Sequence, residues 1–494
     1  MKTGRKIIAS VLGVLLVFVG SLCHYSAEWY IQEFGDTGFD SILFTLFSEK
    51  GGVAEDVVQR YLQTGLQPAL IVTGAAIAVF VLAACLTRWS WYCTAAALAA
   101  CAVLCVNAAD TVKLSDYLKD YANASQLFET EYVDPKQAEI VFPDEKRNLI
   151  YIMLESMETT FLSKEEGGAL DENVIPELYD LALENVNFSH NNGVGGCNHS
   201  TGATWTSGAM VAHTAGVPLK MPWSLSNNYD FEISMLPGIS TIVEILKENG
   251  YSYTFMCGSN ATYGARAQYF EQHGADHIVD YYTAINEGYI MDGFFEWWGL
   301  ADYDLYTYAQ TKLEELASQD QPFAMTLLTV DTHATGGYIC SLCMDDYEEQ
   351  YDNVLACASY QLYDFLDWLS WQDFYENTTI VVVGDHLSMD NDYMQRVLGE
   401  EYDTFERRLY NCFINSAVEP SNEKNRVFTQ FDFFPTTLAA MGAQITGERL
   451  ALGTNLFSDV PTLAERMGFD ELDKELGRAS EMYRDQFMIP PSGN

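Results

Sequence analysis

Gly384-Asp385-His386 stands directly after the apolar run Thr379-Ile-Val-Val-Val383, and far upstream the stretch Gly202 to Gly216 places Thr204, Thr206 and Ser207 at a turn into a helix. An acid beside an imidazole at the end of a buried strand has few structural uses, whereas both groups bind metals. Leu154 is likewise followed by Glu155 and Ser156, and Val330 by Asp331, Thr332 and His333. In open parallel sheets, ligands gather beyond the carboxyl ends of the strands. If these strands are neighbours, Glu155, Asp385 and His386 meet as an oxygen-rich set with one imidazole, which suits manganese, or magnesium, better than structural zinc. Thr206 fits the vacancy for a fourth donor. Its hydroxyl is a weak nucleophile at neutral pH, but coordination to a divalent cation and the amino end of a helix both favour the ionised form. Such a set predicts a metal-dependent phosphoryl or sulfuryl transferase.

Each residue also has a plainer use. Thr204 or Thr206 could cap the helix and Glu155 could cap another. His333 could be a solvated loop residue, Trp298 in Glu296-Trp-Trp-Gly299 a core aromatic, and Arg266 a surface ion-pair partner.

The elements that must position these residues follow from hydrophobic patterning. From Arg147 onward, short apolar runs alternate with amphipathic stretches, which predicts an α/β fold: a largely parallel sheet with helices on both faces. Strands are expected at 148–154, 251–256, 323–330 and 379–383, and helices at 241–250, 351–368 and 431–442. Ahead of them lie three apolar stretches without internal charge, 7–22, 68–86 and 91–106, which predict transmembrane helices. The first reads as an uncleaved anchor, because Gly20-Ser-Leu-Cys23 lacks a small-residue cleavage pattern. Lys2, Arg5 and Lys6 before the first span and Arg88 between the next two put those sites in the cytoplasm and the remainder outside. The expected organisation is a membrane domain at 1–110, a linker at 111–144, a catalytic domain at 145–460 and a tail at 461–494 made of a peripheral helix and a frayed end. Between the first two spans, Asp40 to Phe47 reads as a short interfacial helix.

Six of the 26 basic and eight of the 69 acidic residues precede residue 111, so the remainder carries a net charge of −41. That field excludes nucleic acid as a partner and leaves a phosphate-bearing substrate dependent on local positive charge. Of the cysteines beyond the apolar segments, Cys340, Cys343, Cys357 and Cys412 could form bridges in an oxidising exterior. A Cys343–Cys357 bridge is the expected pairing, and Cys340-x-x-Cys343 alone is a weak zinc signal.

These motifs resemble the alkaline phosphatase and sulfatase superfamily, and within it the membrane-anchored lipoteichoic acid synthase and phosphoglycerol transferase group. Thr206 to Gly216 keeps the sulfatase spacing from nucleophile to glycine, but no Pro-Ser-Arg follows Thr206, which argues against sulfate ester hydrolysis. Trp205-Thr206, Met210-Val-Ala212, Gly216-Val-Pro-Leu219, Leu154-Glu-Ser156, Asp331-Thr-His333, Gly384-Asp-His386 and Asp432-Phe-Phe-Pro-Thr-Thr437 are similar to the phosphoglycerol transferases. The resemblance covers residues 145 to 455. It implies an alkaline phosphatase-like fold with Glu155, Thr206, Asp385 and His386 around manganese, and His333, Arg266 and Trp298 lining a glycerophosphate pocket. It further implies a multi-pass enzyme of the cell membrane, with its catalytic domain outside, in cell-envelope biogenesis. Glycerophosphate would pass from phosphatidylglycerol to a polymer or glycan acceptor through a glycerophospho-threonine. The alternatives are a phosphodiesterase or phosphoethanolamine transferase of the same superfamily, or a non-catalytic surface module. Ala334-Thr335 departs from the His-Pro or Phe-Pro common in the group, and three spans are visible where five are common.

Overall fold

The computed structural model describes residues 2–35, 37–47, 55–86, 90–221 and 234–489. They divide into two compact units, Met1–Phe39 with Val53–Lys119 and Asp40–Gly52 with Asp120–Asn494. Arg88 and the last five residues, used above for orientation and for the frayed end, lie outside the described residues.

In the first unit, three helical stretches, Lys6–Phe34, Val57–Ala83 and Trp91–Thr111, are long and apolar enough to cross a membrane. Val11, Leu82 and Val103 point away from the protein, as side chains meeting hydrocarbon would. Gly20 lets the first helix approach the third, because a Cβ there would stand 2.8 Å from the Cys101 Cα. Across the same pair, the Thr94 hydroxyl donates to the Ala9 carbonyl at 2.8 Å.

The second unit is built on a six-stranded sheet of β1 (Asn148–Leu154), β2 (Ser252–Cys257), β3 (His277–Val279), β4 (Phe323–Leu328), β5 (Thr378–Gly384) and β6 (Asn411–Ile414). Their spatial order is β3-β2-β4-β1-β5-β6, with all neighbours parallel except β5 and β6. β1, β2, β4 and β5 are buried along their whole length, which is why they read as largely apolar runs. The edge strand β3 shows no such run, since its three residues pass from exposed to buried.

Ile150, Ile152, Ile380 and Val382 on one face pack with residues of the helices Pro176–Glu184, Asp302–Ala317 and Gln350–Ser370. On the other face, Tyr151 meets the helix Thr206–Ala215 through a 2.9 Å hydrogen bond to His213 Nδ1. His213 also packs on Phe433 of the helix Phe433–Ala440.

His213 is wholly buried, and burial pushes its pKa from 6.5 down to about 3. Between those two values the unfolded chain holds a proton that the folded chain refuses, so stability falls as pH drops below 6.5. The loss from His213 between about pH 7 and about pH 5 is about 2 kcal/mol. Replacing His213 with Phe should flatten this part of the pH profile of the melting temperature, and an unchanged slope would remove His213 as its source.

The segments on either side of the catalytic region pack more closely than a linker and a peripheral tail. Phe128 sits against Tyr483 and Phe487, and Leu472 and Leu476 are fully buried. The buried Lys220 ammonium donates to the carbonyls of Leu476 and Arg478, and Asp473 accepts from the Thr201 amide at 2.7 Å. A few apolar residues at helical spacing in charged surroundings dock these segments. The helix Phe39–Phe47 joins the same unit from Asp40 onward. Asp40 accepts from the Met221 amide at 2.8 Å, and the buried Phe44 ring lies 6.2 Å from that of Trp205. The expected Cys343–Cys357 bridge is not formed, and both residues are free thiols.

Candidate active site

Leu154 lies opposite Gly384 in the parallel pair of β1 and β5, so both strands end at one level and Glu155 and Asp385 emerge side by side. The Asp385 amide continues the pairing by donating to the Leu154 carbonyl at 3.1 Å. On the other side of β1, the hydroxyl of Thr329 just past β4 accepts from the Glu155 amide at 3.0 Å. Gly384 is required by close approach, because a Cβ there would meet the Met157 carbonyl oxygen at 1.8 Å.

Four side chains from three segments far apart in sequence converge at this edge. Thr206 Oγ1 lies 3.4 Å from Glu155 Oε2 and 3.3 Å from His386 Nε2. His386 Nε2 is itself 3.3 Å from Glu155 Oε1 and 3.3 Å from Asp385 Oδ2. Glu155, Asp385 and His386 are buried, while Thr206 is half-exposed at the start of its helix. Thr206 is therefore not a helix cap; its hydroxyl faces the acid and imidazole cluster.

Neighbours hold this arrangement. His386 Nδ1 donates to the Leu387 carbonyl at 3.0 Å, which leaves the Nε2 lone pair turned to the cluster. Asp385 Oδ1 accepts from the amides of Ser156 and His386 at 2.8 and 2.7 Å. The Ser156 hydroxyl donates to Glu155 Oε1 at 2.7 Å, and Ser156 adopts φ 55° to do so. Gln430 spans the floor by donating to the carbonyls of Asp385 and Ala203 at 3.0 and 2.8 Å. Glu158, wholly buried, pairs with Arg407 and accepts from the Ser388 amide just past His386 at 3.0 Å. His199, whose Nε2 is enclosed and unpartnered, has its pKa pushed well below the usual value, chiefly by burial. Sequence reasoning missed His199, Gln430, Glu158 and Arg407. Only Ser156 carried a signal, its place next to Glu155.

Thr206 and Glu155 open onto a cleft also lined by Ser259, Tyr263, Arg266, Trp298 and His333. Arg266 is not a surface ion-pair residue: it is buried, and it donates to Tyr263 O, Asn260 O and Ser259 Oγ. The Trp298 ring lies 5.2 Å from His333, and its buried Nε1 has no partner. His333 Nδ1 engages the Ala334 carbonyl at 2.7 Å, which leaves Nε2 for the cleft. All three residues expected to line a substrate pocket thus share one cleft with Thr206.

Electrostatically the cluster is strained without a cation. Burial, and then the charge of Glu155, raises the Asp385 pKa. Burial alone would lower that of His386, but Asp385 and Glu155 outweigh it and the net direction is upward. Asp385 Oδ2 is a buried acceptor without a hydrogen-bond partner. Glu155, Asp385 and His386 offer ligand atoms within 4.8 Å of one another, so a divalent cation fits them. The Thr206 contacts of 3.3 and 3.4 Å match the spacing of neighbouring ligands around an ion about 2.1 Å from each.

The sulfatase family's sequence model matches residues 147–443. Phosphoglycerol transferase I of Escherichia coli O127:H6 is 31% identical over 271 residues, covering 53% of this chain and 33% of that protein. The chain thus spans about a third of that relative's length. An alkaline phosphatase superfamily protein from Vibrio parahaemolyticus superposes with a TM-score of 0.51 at 23% identity, over 69% of this chain and 78% of that one. The lipoteichoic acid synthase LtaP from Listeria monocytogenes gives 0.50 at 18% identity, over 67% and 80%. With more than half of the chain inside the family match and the same architecture in both solved structures, the protein belongs to the sulfatase family and has the alkaline phosphatase-like fold.

Proposed function

We propose that the protein is a phosphoglycerol transferase that moves glycerophosphate from phosphatidylglycerol to an extracytoplasmic polyglycerolphosphate, lipoteichoic acid or glycan. The observation that carries this reading is the half-exposed Thr206 hydroxyl, held by two buried ligand-type side chains, Glu155 and His386, and facing the cleft of Arg266, Trp298 and His333. The name shared by its curated relatives supports the same reading.

A divalent cation held by Glu155, Asp385, His386 and Thr206, manganese in this reading, would supply positive charge to favour the ionised threonine and offset charge on phosphoryl oxygens. The Thr206 hydroxyl donates its proton to Glu155 and its oxygen attacks phosphorus; the bond from phosphorus to the diacylglycerol oxygen breaks in line. Protonated His333 gives that leaving oxygen a proton from Nε2, so diacylglycerol departs as an alcohol. Arg266 orients the phosphoryl oxygens and Trp298 bounds the glycerol end. In the second half, neutral His333 takes the proton of the acceptor hydroxyl, whose oxygen displaces Thr206 from phosphorus. Threonine then recovers its proton from Glu155.

The three apolar helices act in this reading as a multi-pass anchor with the catalytic unit outside, where the lipid substrate is close at hand. In detergent with Mn²⁺, phosphatidylglycerol carrying a labelled headgroup should yield diacylglycerol and label on the acceptor. Consumption of phosphatidylethanolamine in its place, or release of free glycerophosphate with every acceptor, would overturn the assignment.

A further inference from the structure

Away from the catalytic cluster, three thiols meet where the segment after His333 returns to the helix Gln350–Ser370. Cys340 Sγ lies 3.7 Å from Cys343 Sγ and 3.7 Å from Cys357 Sγ, and the three sulfurs lie within 4.8 Å of one another. Cys340 and Cys357 are buried, Cys343 partly so. A sulfur-to-sulfur bond is about 2.05 Å long, so none is formed, and joining any two would strand the third thiol. By contrast, sulfurs about 2.3 Å from a tetrahedral zinc ion stand about 3.8 Å apart.

Two further features point to a ligand. The Leu342 amide donates to Cys340 Sγ at 3.4 Å, which stabilises charge on the first sulfur of Cys-x-x-Cys. Gln361, one helical turn beyond Cys357 and 95% buried, aims its amide at the sulfurs, with Nε2 3.0 Å from Cys357 Sγ and 3.5 Å from Cys340 Sγ. Its Oε1 is buried and has no partner. Half a turn about the last side-chain bond exchanges the two atoms and brings this oxygen to the sulfurs as a fourth donor.

We propose that Cys340, Cys343, Cys357 and Gln361 form a structural zinc site, distinct from the catalytic cluster. Loading releases three thiol protons to solvent, and Zn²⁺ leaves the site with a net charge of −1. The site clips the segment that carries His333 onto the long helix. It also fixes Tyr338, which stacks on Trp297 at 5.7 Å, with Trp297 in turn 6.1 Å from His333. The clip therefore sets one wall of the cleft, whatever reaction the cleft performs.

The test uses the full chain in detergent, stripped of metal under reducing conditions and titrated with Zn²⁺ or Co²⁺ alone. Sulfur-to-cobalt charge transfer in the near ultraviolet marks thiolate ligation and is silent for the catalytic oxygen and nitrogen donors, so failure of the functional proposal would not mimic failure here. The wild type and Asp385→Ala should both show the band. Cys343→Ser should lose it, and Gln361→Ala should weaken zinc binding about tenfold. Cys343 is partly exposed, so that variant folds more readily than one at Cys340, and thiol protection from alkylation by zinc in the wild type gives a second readout. Absence of the band, unprotected thiols in the presence of zinc, or a disulfide among the three in protein isolated without reductant would overturn the proposal.

Discussion

Replacing Thr206 with Ala should lower diacylglycerol release from phosphatidylglycerol by at least about 10³-fold, because the covalent step then has no nucleophile. The fold should survive, since the hydroxyl contacts are long, 3.3 and 3.4 Å, and half-exposed, so their loss costs about 1 kcal/mol or less. Thr206→Ser should keep part of the activity through its hydroxyl. Rapid-quench measurement with labelled lipid should find label bound to the wild type and the Ser variant and none on the Ala variant. Undiminished turnover by Thr206→Ala would remove the residue from the nucleophile role.

Asp385→Asn should separate catalysis from stability with opposite signs. Asn can keep the Oδ1 bonds to the Ser156 and His386 amides, but it gives up the charge on the unpartnered Oδ2. Manganese affinity should fall at least about 100-fold, and activity with it. Without metal the variant should melt higher than the wild type, because it no longer buries a second carboxylate beside Glu155. With metal the order should reverse: a cation at about 100 times its Kd stabilises the wild type by about 2.7 kcal/mol and the variant far less. Melting curves with chelator and with Mn²⁺ test both halves. A wild-type melting temperature indifferent to chelator and Mn²⁺ would sink the cation site.

The two edge strands show where reading from sequence stops. β1 and β5 announce themselves because a strand buried on both faces is largely apolar, and the polar residue that ends the run marks the sheet edge. β3 and β6, three and four residues long, offer too short a pattern to distinguish from loop. The helix Phe39–Phe47 was legible as a helix, but not its seat beside Trp205, which depends on Asp40 reaching an amide about 180 residues away. The packed tail was hidden in the same way, by its few apolar residues among many charges.

Local pattern alone determined the apolar helices, the four central strands, the polar residues at their ends and the overwhelming acidity, because each of these is a property of neighbouring residues. The tertiary structure decided which residues buttress Thr206 and the cluster, and that three thiols gather instead of two pairing. Those are contacts across tens to hundreds of residues, set by the register of β1 against β5 and by how the chain returns to the sheet, and no short stretch of sequence encodes them.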